Sequence, residues 1–439
     1  MPDTPLTTDS VRVAPKASDK PGGYLAESAS GLNRVGHTTL SATAKSQEPS
    51  VWRTDDGGRD CRRLLTQDND RARQLKRLFI ILIGVLLGAT VVGCGSNSSE
   101  SAPPSSEPDS CAPSDGLTFI CGIENPEDVV LVPNSEWLLA SGMEPGSGLH
   151  LVDTHGKSVS NLYAADAASK IEHNRAKYAG CPSPLDPAQA DLHGLSIRQT
   201  ESGRYTVYAI NHGGRESVEV FDLDARGPAP SATWTGCVLM PDGLQGNSVA
   251  AFYDGTILAT VPYMPGKTFD DVLAGETTGA VHMWVPGSAA FQALPGTELL
   301  GNNGIETSPD DSKFYVVSPR ERRVVEFARN KPAAPLRFAQ LAGFVPDNVH
   351  WTADNQLITA GMIEGEPSCG GAPITEFSLL ECSRGYKVDT IDPTTMVARE
   401  LASGPATPDF PGAASAVQVG GELWLGSFYA DRLAYRSLD

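Results

Sequence analysis

The sequence predicts an all-β fold on three observations: frequent turn residues, short apolar runs without amphipathic helical patterns, and one phrase that recurs six times. Glycine and proline number 44 and 33 in 439 residues. They fall between runs of strand length, the pattern of strands joined by tight turns. Glu127-Asp-Val-Val-Leu-Val leads through the turn Pro133-Asn-Ser into Glu136-Trp-Leu-Leu-Ala-Ser. Asn247-Ser-Val-Ala-Ala-Phe and Thr256-Ile-Leu-Ala-Thr flank Tyr253-Asp-Gly, and Asp-Gly between apolar runs is a strong hairpin signal. Phe314-Tyr-Val-Val follows Ser308-Pro-Asp-Asp, Gln356-Leu-Ile-Thr-Ala follows Ala353-Asp-Asn, and Glu422-Leu-Trp-Leu-Gly follows Gly420-Gly421.

Each unit reads as a short strand, a tight turn, a hydrophobic strand and a further strand such as Val218-Glu-Val-Phe-Asp-Leu-Asp. The units open near Glu127, His193, Asn247, Asn303, Asp347 and Ala414, at separations of 66, 54, 56, 44 and 67 residues. Each is long enough for four strands. A six-bladed β-propeller over residues 117–439 is therefore preferred to a pair of β-sandwiches.

The chain ahead of the propeller concerns address. Residues 1–70 are rich in Ser, Thr, Gly, Asp and Arg without sustained periodicity, and read as a disordered leader or as a start assigned too far upstream. Arg71, Arg73, Lys76 and Arg77 then precede an apolar run from Leu78 to Val92, followed by Gly93-Cys94. Those are the charged, apolar and small-residue parts of an export signal over residues 71–94. Val-Val-Gly-Cys resembles the bacterial lipobox, with Cys94 lipidated and first in the mature chain, and residues 95–116 form a polar tether. A single transmembrane helix is the competing reading. The expected location is extracytoplasmic, as a monomeric bacterial lipoprotein held in the cell envelope by its lipid.

Charge excludes one class of partner. The chain has 34 basic and 53 acidic side chains, a net of −19. Residues 1–94 hold 13 of the basic and 10 of the acidic ones, leaving 21 against 43 and a net of −22 for the remainder. Such a body repels phosphate backbones, so nucleic acid is not an expected partner. Six cysteines follow Cys94, namely Cys111, Cys121, Cys181, Cys237, Cys369 and Cys382. In an exported domain an even count points to disulfides, with 15 connectivities open. Proximity favours Cys369–Cys382 and Cys111–Cys121, leaving Cys181–Cys237. No Cys-x-x-Cys pair suggests zinc.

The unit openings carry the chemistry. In a propeller the first strand of each blade lines the central channel, and its first residues face one mouth. Here they are Glu127, His193, Asn247, Asn303 and the pair Asp347-Asn348, each polar and each just before an apolar strand. Taken singly, Asn and Asp at strand starts are common turn residues. Five oxygen-bearing side chains at matched positions in four blades form a pattern of another kind. Calcium takes six to eight hard oxygen ligands, and Glu127, Asn247, Asn303, Asp347 and Asn348 supply five, with two carboxylates to balance the charge. Other chemistries fail: there is no Gly-x-Ser-x-Gly elbow and no His-Glu-x-x-His. Asp222-Leu-Asp-Ala-Arg begins like an EF-hand loop, but Arg226 and Thr233 occupy ligand positions.

From Glu127 to the C-terminus the chain resembles the paraoxonase family of calcium-dependent lactonases and arylesterases. The phrases are Glu127-Asp-Val-Val-Leu-Val-Pro-Asn, His193-Gly-Leu-Ser, Ala209-Ile-Asn-His-Gly with Ser217-Val-Glu-Val-Phe, Gly246-Asn-Ser-Val, Asn303-Gly-Ile-Glu-Thr-Ser-Pro-Asp, Pro346-Asp-Asn-Val and Ala414-Ser-Ala-Val-Gln-Val-Gly-Gly. Single phrases also occur across gluconolactonase-like propellers. The resemblance implies one catalytic calcium on the five oxygen residues, a histidine dyad of His193 and His212, and a lactone or ester substrate. His193, or else Asp347 or a calcium-bound hydroxide, would be the base. It also implies a second, structural calcium at Asp128, the Leu195 carbonyl and the position of Ser248. There the family has Asp, so weak occupancy or water is expected at that second site. His350, beside Trp351, reads as structural. Two further classes stay open: a non-catalytic envelope propeller binding through its loops, and a strictosidine-synthase-like condensing propeller, which lacks the oxygen cage.

Overall fold

Six sheets stand around a central channel in the computed structural model, which describes residues 111–371, 374 and 382–438. The leader, the apolar run, Cys94 and most of the tether lie outside the described residues. Among the described residues, no helix is long and apolar enough to cross a membrane.

The first blade runs outward from Val129–Leu131 through Trp137–Gly142 and Gly148–Asp153 to Ser158–Tyr163. The second has Leu192–Glu201 innermost, then Arg204–Asn211, Ser217–Asp224 and Ser231–Leu239, with the short strand Lys170–Ile171 added in parallel at its rim. Val249–Ala251, Ile305–Thr307 and Phe344–Trp351 are the inner strands of blades three to five. The sixth holds Ala413–Val419, Glu422–Ser427 and Arg432–Ser437, and its outermost strand is Thr118–Cys121 from the N-terminal end. Pairing Thr118 with Tyr435 and Cys121 with Arg432 joins the two ends of the domain and closes the ring.

The turns follow the local chemistry. Asn134, Asp311 and Asn355 take the left-handed conformation at φ 59°, 58° and 61°, which Asn and Asp tolerate better than other side chains. Gly255 of the Asp-Gly hairpin has φ 83°, where a Cβ would be strained. Between blades, apolar faces interlock. Ala250, Phe252 and Leu258 of the third blade pack with Ile305, Phe314, Val316 and Phe327 of the fourth in one buried cluster, and Phe314 stacks on Phe327 at 5.1 Å. All three disulfides form as sequence proximity suggested: Cys111–Cys121, Cys181–Cys237 and Cys369–Cys382.

Candidate functional site

In three of the six inner strands a local register slip takes the first side chains out of the ladder. The strand Phe344–Trp351 slips register between Pro346 and Val349, so Asp347 and Asn348 leave the ladder together. A bulge re-aims side chains in this way. Similar slips occur between Leu192 and Leu195, around His193, and between Ala413 and Ser415.

The side chains meet across blades. Asn348 Nδ2 donates to Glu127 Oε1 at 2.6 Å. Ser415 Oγ donates to the Glu127 carbonyl at 2.9 Å, so the sixth blade, which offers no ligand of its own, holds the first in place. The Asn303 amide favours the ionised form of the Asp347 carboxyl, against the opposing effect of burial. Asn247 donates its N–H to the Thr260 carbonyl at 2.9 Å and accepts from the Gly194 N–H at 3.2 Å. His193 Nε2 lies 3.5 Å from Glu127 Oε2. On its other side, His193 Nδ1 is 2.9 Å from His212 Nε2, and His212 Nδ1 is 3.0 Å from the Glu216 carboxylate. The four oxygen-bearing openings and both histidines thus lie where the sequence places them.

Two glycines in the recurrent phrases explain how neighbouring blades approach so closely. A Cβ on Gly194 would stand 2.5 Å from Ser248 Cα, and one on Gly304 would stand 2.6 Å from the Asp347 carbonyl oxygen. Both contacts are with backbone and cannot be relieved by a side-chain rotation. Gly304→Ala is therefore expected to cost about 1–3 kcal/mol, the usual size of an overpacking penalty. A thermal midpoint equal to that of the parent protein would refute this account of the phrase Asn-Gly-Ile.

The oxygens converge without partners of their own. Glu127 Oε2, Asn247 Oδ1, Asn303 Oδ1 and Asn348 Oδ1 are buried and have no hydrogen-bond partner among the described residues. Buried polar atoms left this way are costly and uncommon, and ask for a ligand, ion or water. Burial first, and then the charge of Asp128, holds the Glu127 carboxyl well above its ordinary range. Burial and then Glu127 do the same for Asp347. A cation at this point would meet four unshared oxygens and remove the repulsion between the carboxylates. Among the described residues no group of three or more His, Cys, Asp or Glu is arranged to share a metal. The set depends instead on amide oxygens, hard ligands that suit calcium. By this test the residues fit the ion.

The second site implied by the resemblance has a different character. Asp128 accepts from the Val129 N–H at 2.9 Å, from the Leu195 N–H at 2.8 Å and from His350 Nε2 at 2.6 Å. Leu195 thus turns its N–H, not its carbonyl, to Asp128. His350 Nδ1 is 3.6 Å from Glu306 Oε2. Burial opposes charge on this imidazole, but Asp128 and then Glu306 outweigh it and push His350 up to about 10. His350 thus sits between two carboxylates, and Ser248 Oγ has no hydrogen-bond partner among the described residues. The sequence offered no signal for Glu306 or Glu216, because neither stands at a unit opening.

A cavity of about 160 Å³ lies over the mouth, with Asn303 and Asp347 among its lining residues. Its wall is largely apolar and includes Phe269, Leu273, Val345, Met362, Ile374 and Phe428. Phe269 and Leu273 belong to the short helix Phe269–Leu273, started by a capping box between Thr268 and Asp271. Ile374 comes from the segment bracketed by the Cys369–Cys382 disulfide.

No family model matches the sequence, and neither does any curated protein. Among solved structures, a gluconolactonase from Xanthomonas campestris aligns over 73% of this chain and 89% of its own, at 15% identity and a TM-score of 0.44. A luciferin-regenerating enzyme aligns over 73% and 94%, at 13% identity and a TM-score of 0.44. Regucalcin from Agrobacterium tumefaciens, a calcium-binding protein, aligns over 72% and 90%, at 12% and 0.39. With TM-scores below 0.5, these likenesses bear on neither the reaction nor the ligand, which rest on this chain's own residues.

Proposed function

We propose that the mouth of the channel holds one calcium ion and that the protein hydrolyses lactones or related esters, as the resemblance to the paraoxonases implies. One observation carries the reading. Four buried oxygens from Glu127, Asn247, Asn303 and Asn348 lack hydrogen-bond partners among the described residues, and His193 Nε2 lies 3.5 Å from the Glu127 carboxylate.

Glu127, Asn247, Asn303, Asp347 and Asn348 would hold the ion. When bound, it would supply positive charge to an ester carbonyl, stabilising the negative oxygen that develops as water attacks. The chain's own groups supply the rest. His193 stands at the edge of the oxygen set and can take the proton of the attacking water, then return it to the leaving oxygen. The apolar wall over Asn303 and Asp347 receives the body of the substrate and limits water to the reacting end. The bond from Asn348 to Glu127 keeps that amide aimed before any ligand arrives. Export and lipid attachment at Cys94 belong to the same reading.

The test combines metal content with turnover. Purified protein is expected to carry one calcium, and to hydrolyse a panel of aliphatic lactones and aryl esters only while calcium is present. Thermal unfolding gives a second readout. Carboxyls held above their ordinary range bind protons more tightly folded than unfolded. Metal-free stability should therefore fall as pH rises from the ordinary carboxylate range through the raised values. Calcium should reverse that loss, releasing protons as it binds. At a concentration a hundred times its Kd it should add about 2.7 kcal/mol. Turnover indifferent to chelator would end the lactonase reading and leave a binding propeller in the envelope.

A further inference from the structure

We infer that Glu216 is a positioning residue for this hydrolysis, completing a His193–His212–Glu216 relay; the inference rests on the ester-hydrolysis reading above. Donor and acceptor logic carries it. A carboxylate offers only acceptors, so His212 Nδ1, 3.0 Å from Glu216, carries the proton of that bond. In neutral His212 the proton on Nδ1 leaves Nε2 as an acceptor, and the group it faces at 2.9 Å is His193 Nδ1. His193 Nδ1 therefore donates, and its remaining nitrogen, Nε2, keeps a free lone pair. That is the nitrogen facing the oxygen set, 3.5 Å from Glu127 Oε2. Glu216 thus dictates, through two rings, which nitrogen of His193 can act as a base. Without it either ring can turn over to its other tautomer, and a His193 protonated on Nε2 cannot accept a proton there.

The loop is built to hold this carboxylate still. Asn211 Nδ2 donates to the carbonyls of Gly213 and Arg215 at 2.9 and 2.7 Å. Arg215 makes a two-pronged contact with buried Glu219 at 2.8 and 2.9 Å. Glu216 lies directly between that anchored arginine and the strand Ser217–Asp224. Side-chain exposure rises outward along the chain of groups, from 1% at Glu127 through 14% at His193 and 21% at His212 to 27% at Glu216. The positive charge that forms when His193 takes a proton is spread toward His212, where a carboxylate near solvent balances it. In the step itself the water oxygen bonds to the ester carbon and its proton goes to His193 Nε2. That proton then passes to the leaving alkoxide as the carbon–oxygen bond breaks, so ester and water become acid and alcohol.

The experiment compares Glu216→Gln with the parent protein in its calcium-bound form. Gln keeps the shape and an acceptor but loses the charge. We expect kcat to fall about 10²-fold, the low end of what general-base catalysis supplies. KM, calcium affinity and thermal midpoint should stay within twofold or within a degree or two, and Glu216→Asp should recover part of the rate. A kcat within twofold of the parent, or a loss shared equally by KM and calcium binding, overturns the proposal. Nitrogen NMR on histidine-labelled protein separates this from the hydrolase reading. His212 should be protonated on Nδ1, and Glu216→Ala should shift it toward Nε2. An Nε2-protonated His212 in the parent protein refutes the relay even if esters are hydrolysed. An Nδ1-protonated His212 in a protein that hydrolyses nothing supports the relay geometry and defeats the hydrolase.

Discussion

Asp347→Ala is expected to abolish turnover of every lactone and ester together. The reason lies in shared ligands. Asp347 supplies one of two carboxylates to the oxygen set, beside Glu127. Removing it weakens the ion and leaves a single carboxylate to balance its charge. Loss of one well-placed stabiliser of a developing oxyanion costs about 10²–10³ in rate, and the loss should not depend on the leaving group. Asp347→Asn sharpens the test through stability. Burial and the nearby Glu127 make ionised Asp347 unfavourable in metal-free protein, so the neutral amide should unfold at the same or a higher temperature at pH 7, while binding calcium more weakly. Activity of Asp347→Ala equal to that of the parent would remove the metal from the mechanism. A metal-free Asp347→Asn protein that is markedly less stable would show that the carboxylate has another partner.

His193→Gln should leave calcium in place and still cost about 10²–10⁴ in rate, the range for a positioned general base. Burial holds His193 below the ordinary histidine range, against the pull of Asp347 and Asp128, so the ring is a neutral acceptor at neutral pH. Unlike the loss at Asp347, this one should be uneven. An aliphatic lactone, whose leaving alkoxide is poor, should suffer most, and an aryl ester with a good leaving group least. The comparison needs only those two substrates, each with the ion present and chelated. A uniform loss with reduced calcium content would mean that His193 supports the cage and has no role as a base.

Fold class and blade number were legible in the chain because both follow from local chemistry. Asn134, Asp311 and Asn355 turn where the sequence has Asn or Asp between apolar runs, and each run is the length of one strand. The five oxygen residues were legible for a related reason. A polar side chain just before an apolar strand, repeated at five of six unit openings, has few structural explanations once the units are seen to be equivalent. The pair Asp347-Asn348 showed two ligands side by side but not how both could face one point; that required the bulge between Pro346 and Val349.

Features that repeat along the chain could be read from the residues alone: the all-β class, six units and the residue type at each opening, with sequence proximity adding the three disulfide pairs. Features that depend on contacts between distant units needed the folded chain. Closure of the ring pairs Thr118–Cys121 with Arg432–Ser437, and no local pattern marks a strand as belonging to a blade some 300 residues away. Glu216 behind His212, and His350 between Asp128 and Glu306, carry no periodic signature either. Their roles come from Coulomb and hydrogen-bond interactions that act over a few ångströms in space and are blind to separation along the chain.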